Sequence, residues 1–222
     1  MTPNTNIQNY RFNLRKNLEK NPEDVNSLIH LGALEFECFH NINEATLLLE
    51  KAIQIDPLNP KPKFWLAMCF FYDCFQYSNA QKLLKEALEL DPKQPECLSL
   101  LGWIIRETDG PINEAIQYVQ QALLYAPDWP MLRWQIARFF LLIDNVEAAE
   151  NEVQKAFQIR PLDPHKITNE VERYYEDVVT GRGWKDIVKE FDHILELIQQ
   201  AKNNRLQESL RRRICLLFQK KF

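Results

Sequence analysis

The chain is poor in glycine, with only five in 222 residues, so few flexible linkers can separate parts of it. It also lacks any stretch near the roughly 20 consecutive apolar residues that cross a bilayer, which argues against a membrane-spanning protein. The first residues do not follow the basic and then apolar layout of a secretory signal peptide. With 45% hydrophobic and 26% charged residues, the composition is that of a soluble globular protein.

Cysteine is scarce, and the five cysteines are an odd number without paired spacing. Disulfide frameworks need paired cysteines in an oxidising compartment, whereas free thiols persist in a reducing one. We therefore expect a cytoplasmic protein whose thiols are free and mostly buried. The cysteines are Cys38, Cys69, Cys74, Cys97 and Cys215.

The common arrangements of catalytic and ligand-binding residues are also missing. None of the four histidines stands at metal-ligand spacing from a second ligand, and the chain has no glycine-rich phosphate loop and no serine elbow. Carboxylates are abundant, but they fall on helix faces predicted to be solvated. The sequence therefore predicts a protein that is not an enzyme, with no catalytic residues, no metal site, no cofactor and no small-molecule substrate.

A regular period of prolines runs through most of the chain. Prolines recur at positions 22, 57, 92, 127 and 161, separated by 35, 35, 35 and 34 residues. Each lies where a helix is predicted to end, because the fixed φ of proline and its missing N–H stop helical propagation. A period of this length indicates stacked helical hairpins, which usually hold a partner on an extended surface.

Each period has the same internal layout of two predicted helices. Apolar residues recur at i, i+4 and i+7 of the second helix and so share one face, where alanines let two helix axes approach closely. A small residue such as Gly32 does the same for the first helix, and Asn43 and Asn113 are predicted to cap second helices. The apolar sets are Ala45, Leu49 and Ala52; Ala80, Leu84 and Ala87; Ala115, Val119 and Ala122; and Ala149, Val153 and Ala156.

This layout resembles the tetratricopeptide repeat family, whose repeats carry a Leu-Gly pair, two alanines and a closing proline. The resemblance covers about residues 24–161, in four consecutive repeats, and it implies an all-α fold. The expected architecture is a right-handed superhelix of about four helix-turn-helix repeats with a capping helix at each end. We expect residues 1–22 to form the N-terminal capping helix, residues 23–161 the repeats, and residues 162–222 a helical extension made of a degenerate repeat and a basic helix.

The two ends are predicted to cover the stack. Tyr10, Leu14 and Leu18 recur every four residues, as on a single helix that shields the first repeat. Beyond position 161 the repeat pattern decays. An apolar stripe is then predicted on one helix face, at Trp184, Val188, Phe191, Leu195 and Ile198.

The last eighteen residues are strongly basic. Six Lys and Arg residues against Glu208 give +5 over residues 205–222, which leaves −9 for the rest of a chain of net charge −4. A basic amphipathic helix can contact an anionic membrane, nucleic acid or an acidic partner, with Arg211, Arg212 and Arg213 as the candidate residues. The alternative is a capping helix whose arginines are solvated or contact the acidic body. The acidic remainder argues against nucleic acid as the main partner.

The resemblance also implies a binding surface, because the first helices of such repeats line the concave side of the superhelix. The inward-facing positions carried over from the family are mostly apolar and aromatic, with two arginines, a composition typical of binding hot spots. One alternative is that these side chains are packing residues of the stack, and another is that the C-terminal helices fold back and fill the groove. The candidate partner-binding residues are Ile29, Phe36, Phe64, Met68, Phe71, Tyr72, Trp103, Arg106, Trp134, Arg138 and Leu141.

The predicted function follows from this surface. We expect a non-catalytic adaptor or scaffold that binds a peptide or helix of another protein in the concave groove. One alternative is a chaperone-like protein that shelters a hydrophobic segment of a client in the same groove. Another is a tether that contacts a membrane or nucleic acid through the basic C-terminal helix.

Overall fold

The computed structural model of the chain describes residues 5–72, 75–159, 192–206 and 208. These residues form ten helices and no strand. Nine of the helices are α1 (Thr5–Lys20), α2 (Val25–Glu37), α3 (Ile42–Ile55), α4 (Pro60–Tyr72), α5 (Tyr77–Leu90), α6 (Pro95–Glu107), α7 (Ile112–Tyr125), α8 (Pro130–Leu142) and α9 (Val146–Ile159). Residues 192–206 form α10.

The contacts divide the described residues into two compact bodies. The N-terminal body comprises residues 5–127, with α1 to α7, and the C-terminal body comprises residues 128–159 and 192–208, with α8 to α10. The predicted helical hairpins are confirmed. They pair α2 with α3, α4 with α5, α6 with α7 and α8 with α9, and we call these pairs repeats 1 to 4.

The repeat period has a simple structural cause. Pro22, Pro57, Pro92 and Pro127 each lie two residues beyond the end of a helix, as predicted, in the turn that leads to the next repeat. Four residues separate the two helices in each of repeats 1 to 3, whereas three residues separate them in repeat 4. This shorter turn accounts for the final period of 34 residues.

Small residues on the second helices form the contacts between helices, as the sequence predicts. Ala45, Ala80, Ala115 and Ala149 are completely buried. Gly32 of α2 shows how close the approach is, because a Cβ added there would lie 2.8 Å from Cγ of Leu49 on α3. A side chain at this position would therefore require either Leu49 or the helix α2 to shift.

The residues that cap the second helices differ from the prediction. Helix α3 begins at Ile42 and its N-cap is Asn41, whose side-chain oxygen accepts a hydrogen bond from N–H of Glu44. Helix α7 begins at Ile112 and its N-cap is Pro111. The predicted caps Asn43 and Asn113 are therefore wrong, because each lies within the first turn of a helix that starts earlier than expected.

Helix α1 packs against the first helix of repeat 1. Leu14 is buried, and Tyr10 and Leu18 pack beside it against a cluster that includes Leu31 and Leu34 of α2. Polar contacts hold the same two helices together, because Arg11 and Arg15 of α1 both donate hydrogen bonds to Glu35 of α2.

Helix α10 is joined to repeat 4 within the C-terminal body. Nζ of Lys202 lies 2.6 Å from a carboxylate oxygen of Glu150 on α9, and Arg205 lies 2.7 Å from the carboxylate of Asp144 in the α8–α9 turn. Two residues of the predicted apolar stripe lie on α10, and of these Ile198 is buried whereas Leu195 is exposed. Ile194, which the prediction did not include, is buried one turn before Ile198.

Several predictions concern residues that lie outside the described part of the chain. These are Pro161, most of the helical extension from 162, the stripe residues Trp184, Val188 and Phe191, and the basic cluster Arg211, Arg212 and Arg213. Cys74 and Cys215 also lie outside it.

Candidate functional site

The first helices of the repeats form a continuous layer in the N-terminal body. Helix α4 contacts both α2 and α6 directly, so it occupies the middle of a three-helix layer. Phe64 and Met68 of α4 are one helical turn apart, and with Trp103 of α6 they pack against the same buried cluster. These three residues, which the sequence analysis assigned to the binding surface, thus share one buried cluster.

The predicted residues in this layer differ in their exposure. Ile29, Phe36 and Phe71 are buried and pack in the cores of the N-terminal body. Phe64, Met68, Trp103 and Arg106 are partly exposed, and Tyr72 is 52% exposed. We call these five partly or largely exposed residues the first-helix surface.

Two Trp–Arg pairs lie on first helices. In the N-terminal body the guanidinium carbon of Arg106 lies 5.9 Å from the ring centroid of Trp103, and Arg106 also pairs with Glu107. In the C-terminal body the corresponding distance from Arg138 to the ring of Trp134 is 4.8 Å. Both distances are within the range of cation–π attraction, which holds the charged group beside the ring.

The candidate residues of repeat 4 belong to the C-terminal body. Trp134 is 8% exposed, so its ring is mostly buried, whereas Arg138 and Leu141 are partly exposed. Helix α8 packs on α9, and an ion pair joins the two helices, because a guanidinium nitrogen of Arg133 lies 2.8 Å from the carboxylate of Glu152. The basic residue Arg133 thus has a structural role within repeat 4.

An aromatic cluster that the sequence analysis did not identify surrounds the turn between α4 and α5. The rings of Phe71 and Tyr72 are 4.7 Å apart, those of Phe71 and Tyr77 are 5.6 Å apart, and those of Phe75 and Tyr77 are 6.4 Å apart. Phe36 of α2 extends the cluster to Tyr72 at 6.3 Å. Phe75 and Tyr77 were missed because they lie in the turn and at the start of the second helix, whereas the prediction considered only first helices.

The titratable groups of the described ranges do not gather into a metal site. No group of three or more His, Cys, Asp or Glu side chains could hold a metal ion in residues 5–159, apart from 73 and 74, or in 192–208. Burial raises the pKa of Cys97, and burial together with Glu37 raises the pKa of Cys38 to about 11, so both thiols are protonated at neutral pH. Within the same part of the chain, no helix is both long enough and apolar enough to cross a membrane.

Solved structures provide the comparison, because no protein-family model and no curated protein matches the chain. TTC0263, a thermophilic tetratricopeptide repeat protein in Thermus thermophilus, has a TM-score of 0.60 at 19% identity, over 68% of this chain and 81% of that one. PilF of Pseudomonas aeruginosa has a TM-score of 0.57 at 19% identity, over 80% and 76% of the two chains.

YrrB, described as a tetratricopeptide repeat protein with an unusual peptide-binding site, matches the largest share of the chain among these three. Its TM-score is 0.55 at 15% identity, over 87% of this chain and 94% of YrrB. Identities this low establish the fold alone. The chain has the tetratricopeptide repeat fold, which confirms the resemblance and the all-α class predicted from its sequence.

Proposed function

We propose that the chain is a non-catalytic adaptor that holds a segment of another protein against the first-helix surface. The observation that carries this proposal is that Phe64 and Met68 of the middle helix and Trp103 of α6 pack against one buried cluster and remain partly exposed. Aromatic residues, methionine and arginine are enriched at the centre of protein interfaces, and this surface combines all three. A peptide or a short helix lying across α4 would contact each of them.

The exposure of the candidate residues divides their roles. Ile29, Phe36 and Phe71 are buried and would support the surface from below, and Trp134 would do the same for α8 in the C-terminal body. Phe64, Met68 and Trp103 would contact the partner. Burying such a side chain completely contributes roughly 1.5–3 kcal/mol, from which the ordering of both partners must be subtracted.

Arginine would determine which end of the segment binds where. Arg106 lies beside Trp103 and Glu107, and Arg138 lies beside Trp134, so both guanidinium groups are held close to aromatic rings. Acidic groups on the partner would pair with Arg106 and fix its orientation on the first-helix surface of the N-terminal body. The peptide-binding site named for YrrB is a property of that protein, but it supports a peptide as the kind of partner to test first.

Co-purification from the native cell followed by mass spectrometry would identify the partner. Binding should then be measured with the double variant Phe64→Ala/Trp103→Ala. We expect at least about a tenfold loss of affinity, because two anchors are removed. The matched control is Leu47→Ala/Leu124→Ala, which removes two exposed leucines from the second helices α3 and α7 and should bind normally. Full affinity in a folded Phe64→Ala/Trp103→Ala variant would eliminate the first-helix surface as the binding site.

A chaperone-like function would use the same surface. The solubility of the partner distinguishes it from an adaptor function. An adaptor's partner is soluble when it is expressed alone. A sheltered client would precipitate alone and become soluble on co-expression with this chain. The Phe64→Ala/Trp103→Ala variant should fail to rescue such a client, whereas the Leu47→Ala/Leu124→Ala control should rescue it.

A further inference from the structure

Each of the four repeats has a residue at positive φ among the described residues of the turn between its two helices. These residues are His40, Phe75, Asp109 and Asp144, with φ between 49° and 56°. Histidine and aspartate are among the residue types that enter this left-handed region most readily, whereas a bulky aromatic residue rarely does. Phe75 therefore holds a strained conformation at a position where the other three repeats have a tolerant residue.

The ring of Phe75 gains little burial from this conformation, since the residue is 69% exposed. It is in edge contact with Tyr77, whose ring also packs against Phe71, and Phe71 in turn contacts Tyr72. We call the outer members of this cluster, Tyr72, Phe75 and Tyr77, the turn patch. Strain at an exposed residue, beside two further aromatic rings, is a reason to look for a function.

The charge of the surrounding segment indicates what the turn patch would bind. Between residues 64 and 81 the sequence has seven aromatic residues, no Lys or Arg, and one acidic residue, Asp73. The faces of aromatic rings carry negative electrostatic potential and attract cations. The chain as a whole has a net charge of −4, which adds a weak attraction for the same kind of partner.

Contacts between an arginine and an aromatic ring already occur within the chain. The guanidinium of Arg11 lies 3.9 Å from the ring centroid of Phe39, and Trp103 and Trp134 each have an arginine beside them. We propose that the turn patch is a docking site for an arginine side chain of a partner protein, with the guanidinium placed over the ring of Phe75. The turn patch shares Tyr72 with the first-helix surface, but Phe75 and Tyr77 lie outside that surface, so variants of Phe75 test this proposal separately from the adaptor function.

The probe is N-acetyl-arginine amide, and its neutral isostere N-acetyl-citrulline amide is the matched ligand. NMR ring signals of the full chain would be followed as each is added. We expect the signals of Phe75 and Tyr77 to shift with the arginine compound and to remain unchanged with citrulline. In Phe75→Asn, which suits positive φ, and in Phe75→Leu, which keeps apolar area, the apparent affinity should fall about two- to fivefold.

Phe12 supplies the control ring, because it is 65% exposed but lies on α1 beside Arg11, Arg15 and Lys16. The Phe12→Asn variant should respond to arginine like the parent. Retained affinity in a folded Phe75→Asn variant, or in Phe75→Leu, would overturn the proposal, as would equal shifts with citrulline. The Phe64→Ala/Trp103→Ala variant should keep the arginine response, so a failure here is distinguishable from a failure of the adaptor function.

Discussion

The guanidinium of Arg11 on α1 donates two hydrogen bonds, of 2.6 and 2.7 Å, to the carboxylate of Glu35 on α2. The side chain of Glu35 is completely buried, whereas that of Arg11 is about one-third exposed. Arg15, one turn further along α1, donates a third hydrogen bond to the same carboxylate and also pairs with Glu44. Helix α1 is therefore the source of the positive charge that a buried carboxylate of repeat 1 requires.

Removing the main partner should destabilise the N-terminal body. Arg11→Met leaves the buried Glu35 with Arg15 alone, and we expect a loss of roughly 2–3 kcal/mol, somewhat below that of a fully buried ion pair. Urea unfolding followed by circular dichroism measures this loss. Arg15→Met is the matched control and should cost less than about 1 kcal/mol, because Arg15 is more exposed.

The double variant Arg11→Met/Glu35→Met tests the cause. If the penalty arises from an uncompensated buried charge, removing both charges should restore part of the stability lost in Arg11→Met. A double variant less stable than either single variant would show that packing, rather than charge, holds α1 in place.

The close approach of α2 to α3 gives a second prediction. Gly32→Ala should destabilise the chain by roughly 1–2 kcal/mol, although alanine is the better helix former, because its Cβ would lie 2.8 Å from Cγ of Leu49. The measurement is again the free energy of unfolding. In a Leu49→Ala background the same substitution should be neutral or stabilising, and an equal penalty in both backgrounds would contradict the steric explanation.

The alanine contacts between helices give a third prediction. Ala115→Leu on α7 adds three heavy atoms at a completely buried position and should cost at least about 2 kcal/mol through overpacking. Gln117→Leu places the same side chain at an exposed position of the same helix and should change stability by less than about 0.5 kcal/mol. Equal stability of the two variants would show that Ala115 is not a packing constraint.

The sequence was sufficient to predict the repeat fold because its strongest constraints are local and periodic. A proline after a helix, such as Pro57, and an alanine at a crowded helix contact, such as Ala45, recur at equivalent positions of every repeat. The residues at which the helices begin were harder to predict from the sequence. Asn41 and Asn43 are equally good cap residues, and the choice between them depends on where the turn at His40 places the chain.

The candidate site was only partly predictable, for a different reason. Family positions identify which side chains lie on the first helices, but not how deeply each is buried. Phe36 of α2 and Phe64 of α4 were both assigned to the binding surface, yet Phe36 is buried while Phe64 is partly exposed. The repeat period does not predict the positive φ of Phe75 either. Aligning the turns shows only that a phenylalanine stands in this turn where other repeats have His40 or Asp144.

Thiol reactivity gives a fourth prediction. Cys97 is completely buried and its pKa is raised by burial, and the pKa of Cys38 is about 11. Because the thiolate is the reactive form, iodoacetamide at pH 7.5 should modify both residues far more slowly than a free thiol. Mass spectrometry of labelled peptides would check this, with the urea-unfolded chain as the reference. Rapid labelling of Cys97 in the folded chain would contradict the buried environment and the prediction of stable free thiols.

The pH dependence of stability provides the last prediction, through His30 of α2. Its pKa is lowered from the ordinary value of 6.5, first by partial desolvation of a side chain that is still exposed at the surface and then by the charge of Lys61, while Asp24 acts in the opposite direction. The unfolded chain therefore binds a proton at this site more readily than the folded chain, so the stability present above pH 6.5 decreases as the pH falls below it. His30→Gln should remove this part of the pH dependence when unfolding is measured between about pH 5 and pH 7.5.

Lys61→Met should raise the pKa of His30 in an NMR titration, because one cause of the shift is removed. A His30 pKa at or above 6.5 in the unmodified chain would refute the assignment, whatever the stability curve showed.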